Sequence, residues 1–223
     1  MQTFATAAPI TTVIDIPAGR LRFVAADRAD ATVDVRPADA TKSRDVKAAE
    51  ETTVGFADGV LRVSAPKAKN QVLGQTGFIE VIVHLPAGSA VEAKAAAADL
   101  RSVGRLGDVT FTSAQGPVNL DEASGARLSV QDGDLTIGRL TGSAELSTAR
   151  GDLKIAEATT GTVTLTTQAG SISVGTAPGV SATLDAGTSL GRILNTLQNA
   201  EGSDAGVAIR ATTTLGDITA HSN

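Results

Sequence analysis

A chain of 223 residues with 42% hydrophobic residues can bury a core, which excludes a disordered polymer. The lack of Cys excludes disulfides and thiol chemistry, and a net charge of −5 argues against a nucleic-acid surface, which needs clustered Lys and Arg. Twenty-three Gly beside five Phe and no Trp or Tyr point to many short strands joined by tight turns.

The first residues, Met1-Gln2-Thr3-Phe4-Ala5-Thr6-Ala7-Ala8-Pro9, have neither the basic start nor the apolar run of a signal peptide. No segment approaches the length of continuous apolar residues that spans a bilayer. With Met1 as the natural start, a cytoplasmic protein without membrane insertion is expected. Residues 13–16 read as a strand that ends at the turn signal Pro17-Ala18-Gly19, and residues 20–24 and 31–36 alternate polar and apolar. Residues 37–53 break the pattern. They carry Asp39, Lys42, Arg44, Asp45, Lys47, Glu50 and Glu51, and read as a solvated insertion with a turn or two of helix. After a strand around Gly59-Val60-Leu61-Arg62-Val63 comes a second irregular stretch, residues 65–77. Its Lys67, Lys69, Asn70, Gly74 and Gly77 could hold an anion against backbone N–H groups, but the context of a phosphate loop is missing. Lys67, Lys69 and Asn70 are the candidates for an interaction loop. Residues 79–85 form the strongest strand. It ends Leu85-Pro86-Ala87-Gly88 as the first ends Ile16-Pro17-Ala18-Gly19, which suggests one unit used twice with insertions.

From residue 98 onward the chain repeats. Ala98, Gly116, Gly133, Gly151 and Gly170 open short apolar strands at spacings of 18, 17, 18 and 19, and Gly107, Gly125, Gly142, Gly161 and Gly179 run between them. Ala93, Phe111, Leu128, Leu146 and Leu165 each lie five residues before the turn residue. In the last two coils Leu184 with Gly191 and Ile209 with Gly216 extend the series at a widened offset of seven. This register outweighs the helix propensity of the Ala-rich residues 91–98.

Each strand after the turn offers two inward apolar side chains, such as Leu135 and Ile137 or Leu153 and Ile155. Burying one contributes about 1.5–3 kcal/mol, whereas ordering each backbone residue costs about 1–2 kcal/mol. One coil cannot fold alone, and several must stack and share a core. The expected fold is therefore an all-β, parallel β-solenoid resembling a β-helix, about 18 residues per coil. It is read as one domain over 1–223, with irregular strands and two insertions in 1–90 and regular coils in 91–223. A right-handed coil is expected from the general preference of parallel crossovers. The N-terminal third is expected to cap one end of the stack. No comparable cap is visible at the other end, which leaves room for self-association.

Candidate chemistry is sparse. Asp99, Asp134, Asp152 and Asp217 follow the turn residue in different coils, and a stacked pair such as Asp134 and Asp152 could hold calcium or act on a glycosidic bond. Pro117, Ser171 and Arg192 interrupt the row, and Asp is a common turn residue, so turn chemistry is the simpler reading. Thr162, Thr164 and Thr166 share a face, but Arg127, Ser129, Glu145 and Ser147 occupy the equivalent places nearby, so no flat Thr array extends. His84 and His221 have no further His and no Cys to complete a zinc site, and no nucleophile motif is present. No catalytic residue, metal ligand or cofactor is assigned.

The strands ending in Pro-Ala-Gly, the loop from Lys67 to Gly77 and the Gly-Asp-Leu coils resemble a bacterial family of β-strand-repeat domains, known under the labels "putative adhesin" and domain of unknown function. That resemblance covers nearly the whole chain and implies the solenoid fold, with no catalytic residues to carry over. The expected function is a non-catalytic scaffold or protein-interaction module that binds a protein or a second copy of itself. A carbohydrate-binding or carbohydrate-active β-helix is the alternative, although the aromatic platforms of sugar grooves are missing.

Overall fold

The computed structural model describes residues 1–6, 8–66, 77–200, 202 and 205–223. In chain order the elements are β1 (Gln2–Ala5), β2 (Thr11–Ala26), β3 (Asp30–Pro37), α1 (Ser43–Glu51), β4 (Thr53–Ala57), β5 (Val60–Ser64), β6 (Ile79–Pro86), β7 (Ala90–Val103), β8 (Arg105–Gln115) and β9 (Val118–Asp132). They continue with β10 (Leu135–Leu140), β11 (Ala144–Arg150), β12 (Leu153–Ala158), β13 (Gly161–Ala169), β14 (Ile172–Thr176), β15 (Ala182–Leu190), β16 (Ile193–Thr196), β17 (Val207–Leu215) and β18 (Ile218–Ser222). All of these strands belong to one sheet, which makes the chain all-β and solenoid-like.

The coils stack in parallel register. On the first face Ile14, Ala93, Phe111, Leu128, Leu146 and Leu165 stand in one column. On the second, Val81, Leu21, Leu100, Val118, Leu135, Leu153, Ile172, Ile218 and Ile193 form another. All but Ile193 in these two columns are buried, so the core is a continuous slab between the two faces. The alternation read from the sequence places the inward pairs Val118 and Leu120, Leu135 and Ile137, Leu153 and Ile155, and Ile172 and Val174 correctly, because a strand has a side-chain period of two.

The sequence reading needs three corrections. The widened offset in the last two coils does not exist: Leu165 stands beside Ala211, and Ala211 beside Ala186. The column residue stays five before the corner glycine, and Ala occupies it. Ile209 and Leu184 belong one pair earlier, in the column of Val163. The two Pro-Ala-Gly strings are not equivalent either. Pro17-Ala18-Gly19 bends β2 from the first face to the second without ending the strand, whereas Pro86 terminates the second face of its coil and Gly88 turns with φ 81°. Finally, the coils do not stack in chain order. β17 lies between β13 and β15, and β18 between β14 and β16, so the C-terminal coil is inserted one layer below the outermost one. The same arrangement occurs at the other end, where β2 lies between β5–β6 and β7.

The two ends of the stack are finished differently. At the N-terminal end β4 runs antiparallel along β5, β3 along β6 and β1 along β3. The rings of Phe4 and Phe56 meet at 5.4 Å between centroids, and α1 packs over β3 and β6. At the opposite end, among the described residues, no strand pairs with the outer side of β15 or β16.

The corner glycines let the coils approach closely. Gly151 has φ 142°, and a Cβ there would collide with the carbonyl oxygen of Gly133 in the coil below. Gly151→Ala is expected to cost about 2 kcal/mol or more through backbone strain and forced separation of coils. Gly55→Ala, with open space around the position, is expected to change stability by less than ~0.5 kcal/mol. Urea unfolding of the two variants measures both.

Candidate functional site

The polar insertions come together at the capped end. The backbone N–H of Phe78 donates to Asp45 Oδ1 at 2.9 Å, and the carbonyl of Phe78 accepts from Ala38 N at 2.9 Å. Gly77 lies so close to α1 that a Cβ would strike the carbonyl of Arg44. Gly77 and Phe78, where the second irregular stretch ends, therefore neighbour α1 and Ala38, a point that separation in sequence left open. Between them lies a cavity of about 250 Å³, lined by Arg44, Lys47 and Glu51 of α1 and by Pro66, Gly77 and Ile79. The interaction-loop candidates Lys67, Lys69 and Asn70 fall outside the described residues.

In the acidic row, Asp134, Asp152 and Asp217 bond to backbone groups of neighbouring coils. Asp134 Oδ1 accepts from the backbone N–H of Asp152 at 2.8 Å, and Asp152 Oδ1 accepts from that of Ser171 at 2.7 Å. Asp217 Oδ1 accepts from Arg192 N at 2.8 Å, and its Oδ2 from the Arg192 guanidinium at 3.2 Å. These contacts, the backbone N–H first, hold the Asp217 carboxyl below the usual range. Each carboxylate thus satisfies the corner N–H of the next coil. Two of the residues that interrupt the row, Ser171 and Arg192, take part through their backbone N–H donors. Asp99 stands in register with Pro117, which has no N–H to offer. Among the described residues no group of three His, Cys, Asp or Glu side chains is placed to hold a metal ion.

A second ladder was not recognised in the sequence. Thr148, Thr167, Thr213 and Thr188 donate their hydroxyls to the corner carbonyls of Gly133, Gly151, Gly170 and Gly216, at 3.0–3.3 Å. The signal was available, because each Thr lies three residues before its own corner glycine: Thr148 before Gly151, Thr167 before Gly170, Thr213 before Gly216 and Thr188 before Gly191.

The outer faces carry further cross-coil pairs. Arg127 meets Glu145, Arg150 meets Asp132, Arg139 meets Glu157 and Arg210 meets Asp185. Exposed pairs of this kind contribute little each, but they neutralise the faces. Thr162, Thr164 and Thr166 face Ala208, Arg210 and Thr212 on the next coil, so the threonine face is confined as expected. His84 Nδ1 lies 3.2 Å from Thr32 Oγ1 near the capped end, and His221 sits on β18 near the other. The fold does not bring the histidines together.

The hydrogen-bond ladder predicts unequal effects for identical substitutions. Asp152→Ala should cost about 1 kcal/mol, the net worth of a hydrogen bond to a charged acceptor at an exposed site. Asp99→Ala, whose neighbour has no donor, should fall within ~0.5 kcal/mol of the parent. Thermal or urea unfolding distinguishes them, and Asp152→Asn, which keeps an acceptor, should recover part of the loss.

No curated protein matches the sequence. Among solved structures, a "putative adhesin" from Bacteroides fragilis is 13% identical, with a TM-score of 0.48 and coverage of 98% of this chain and 95% of that one. A "putative adhesin" from Parabacteroides merdae gives 13%, 0.47, 98% and 94%. A "putative cell adhesion protein" from Clostridium sporogenes gives 12%, 0.39, 100% and 98%. The model of the Toastrack DUF4097 family matches residues 10–221, and the chain belongs to that family.

Proposed function

We propose that this chain is a non-catalytic scaffold, a right-handed solenoid of about 18 residues per coil, whose capped end docks a protein partner. One observation carries the reading: α1 of the first insertion meets Pro66 and Gly77, the described ends of the second, around a cavity bordered by Arg44, Lys47 and Glu51, while acidic and threonine side chains along the regular coils bond to backbone groups of neighbouring coils. α1 spans nine residues with a polar composition, and no helix among the described residues is long and apolar enough to cross a membrane. A cytoplasmic setting is part of the proposal.

The test uses the full chain beside two variants, one with residues 65–77 replaced by a short Gly/Ser linker and one carrying Lys47→Glu. A protein captured from the source organism by the parent, and lost with both variants while their unfolding curves stay close to the parent's, is the expected result. Capture that survives both changes would place the docking surface elsewhere. Absence of a protein partner together with retention on a polysaccharide array would transfer the assignment to carbohydrate binding.

A further inference from the structure

The open end of the stack is the feature that the proposed partner site leaves unused. There Ile193, in the inward column of the second face, is 46% exposed, and Leu190 and Leu194 of the same layer stand exposed on its outer faces. The inward-facing Leu184 and Ala186 of β15 are only partly covered, because no coil lies above them among the described residues. Among the described residues of β15 and its corner, Asp185 is paired with Arg210 and Arg192 with Asp217 of the coil below. What remains is the half-covered apolar end of the slab, bordered by the outer edge of β15 beyond Ala182, whose N–H donates to Gln198. The complement of a strand edge is another strand edge.

The geometry points to a second copy of this chain, docked end to end through β15 about a two-fold axis. The opposite end cannot supply the mate for a head-to-tail array, since short antiparallel strands, α1 and the Phe4–Phe56 contact cover it. That leaves an isologous contact, in which the same edge meets itself. The register follows from the backbone. Ser181 accepts from Val207 of the coil below, whereas Ala182 N donates outward to Gln198. Alternate residues of a strand present their N–H and C=O groups to the same side, so Leu184, Ala186 and Thr188 face outward.

Opposing outward-facing residues about a two-fold places Ala186 against its own copy and Leu184 against Thr188 on the inner side. On the outer side Asp185 then lies against Gly187, where even a Cβ would meet nothing within 4 Å. A shift that centres the axis on Asp185 would set two carboxylates directly opposite, which is destabilising. A nine-residue edge about 30 Å long, across a slab about 20 Å deep with its side chains, buries about 600 Å² per copy, at the lower bound of stable interfaces.

Three measurements on the full chain test this. Sedimentation at about 100 µM, above the micromolar range in which small interfaces dissociate, should give a dimer. Ala186→Lys should sediment as a monomer with a melting curve close to the parent's. Ala186→Cys, in a chain without other Cys, should form a covalent dimer on mild oxidation, because paired residues of antiparallel strands come within disulfide reach, whereas Thr166→Cys should not. A parent that remains monomeric, a dimer that persists in Ala186→Lys, equal cross-linking at both positions, or growth into filaments would each overturn the inference. It stands independently of the partner site at the capped end: the variant lacking residues 65–77 should dimerise like the parent.

Discussion

Everything in this fold depends on how closely two backbone corners can approach. Where Gly116, Gly133, Gly151, Gly170 and Gly216 turn the chain from one face to the other, φ lies between 120° and 157°, and the space for a Cβ is filled by the carbonyl of the coil below. The parallel ladders on both faces require a uniform spacing between coils, and a side chain at the corner would wedge that spacing open. Glycine is thus required by contact as much as by backbone angle. The two ladders at the corner follow from the same closeness. The glycine carbonyl comes within reach of a threonine hydroxyl in the next coil, and the adjacent aspartate within reach of the next coil's N–H.

This arrangement accounts for the polar character of a protein whose core is a slab of aliphatic side chains. Hydrogen bonds to carboxylates and hydroxyls satisfy corner groups that strand pairing alone would leave exposed. The acidic row, which in isolation invites thoughts of cations or glycosidic bonds, becomes a set of backbone acceptors. The same logic applies on the faces, where opposite charges sit in register from coil to coil. Function is therefore sought where the repeat stops, at the insertions of the capped end and at the bare edge of the other.

The insertion of both terminal coils one layer inward has a mechanical consequence. β2 and β17–β18 have strands on either side, so the first and last coils are held inside the sheet, where the first and last elements of many domains fray. The outermost layers are internal segments, residues 60–64 with 79–86 at one end and 182–196 at the other. At one end antiparallel strands and a helix blunt the exposed layer; at the other it stays open and apolar.

The sequence by itself determined the fold class, the inward residues and the corner positions, because alternation and glycine spacing are local consequences of strand and turn geometry. It also contained the Thr-to-Gly offset, unread because a buried threonine looks like any other strand residue. Tertiary structure alone decided which coil lies beside which. Every coil presents the same register to its neighbours, so Ile209 and Leu184 fit the period whatever their order, and nothing local marks residues 207–222 as the inserted layer. The packing of α1 against Gly77 and Phe78, the different uses of Pro17-Ala18-Gly19 and Pro86-Ala87-Gly88, and the bonding of each aspartate were likewise set by contacts between segments distant in the chain. A periodic sequence specifies the repeating unit and its pairing surface, while the order of stacking depends on how the connections between units close in space.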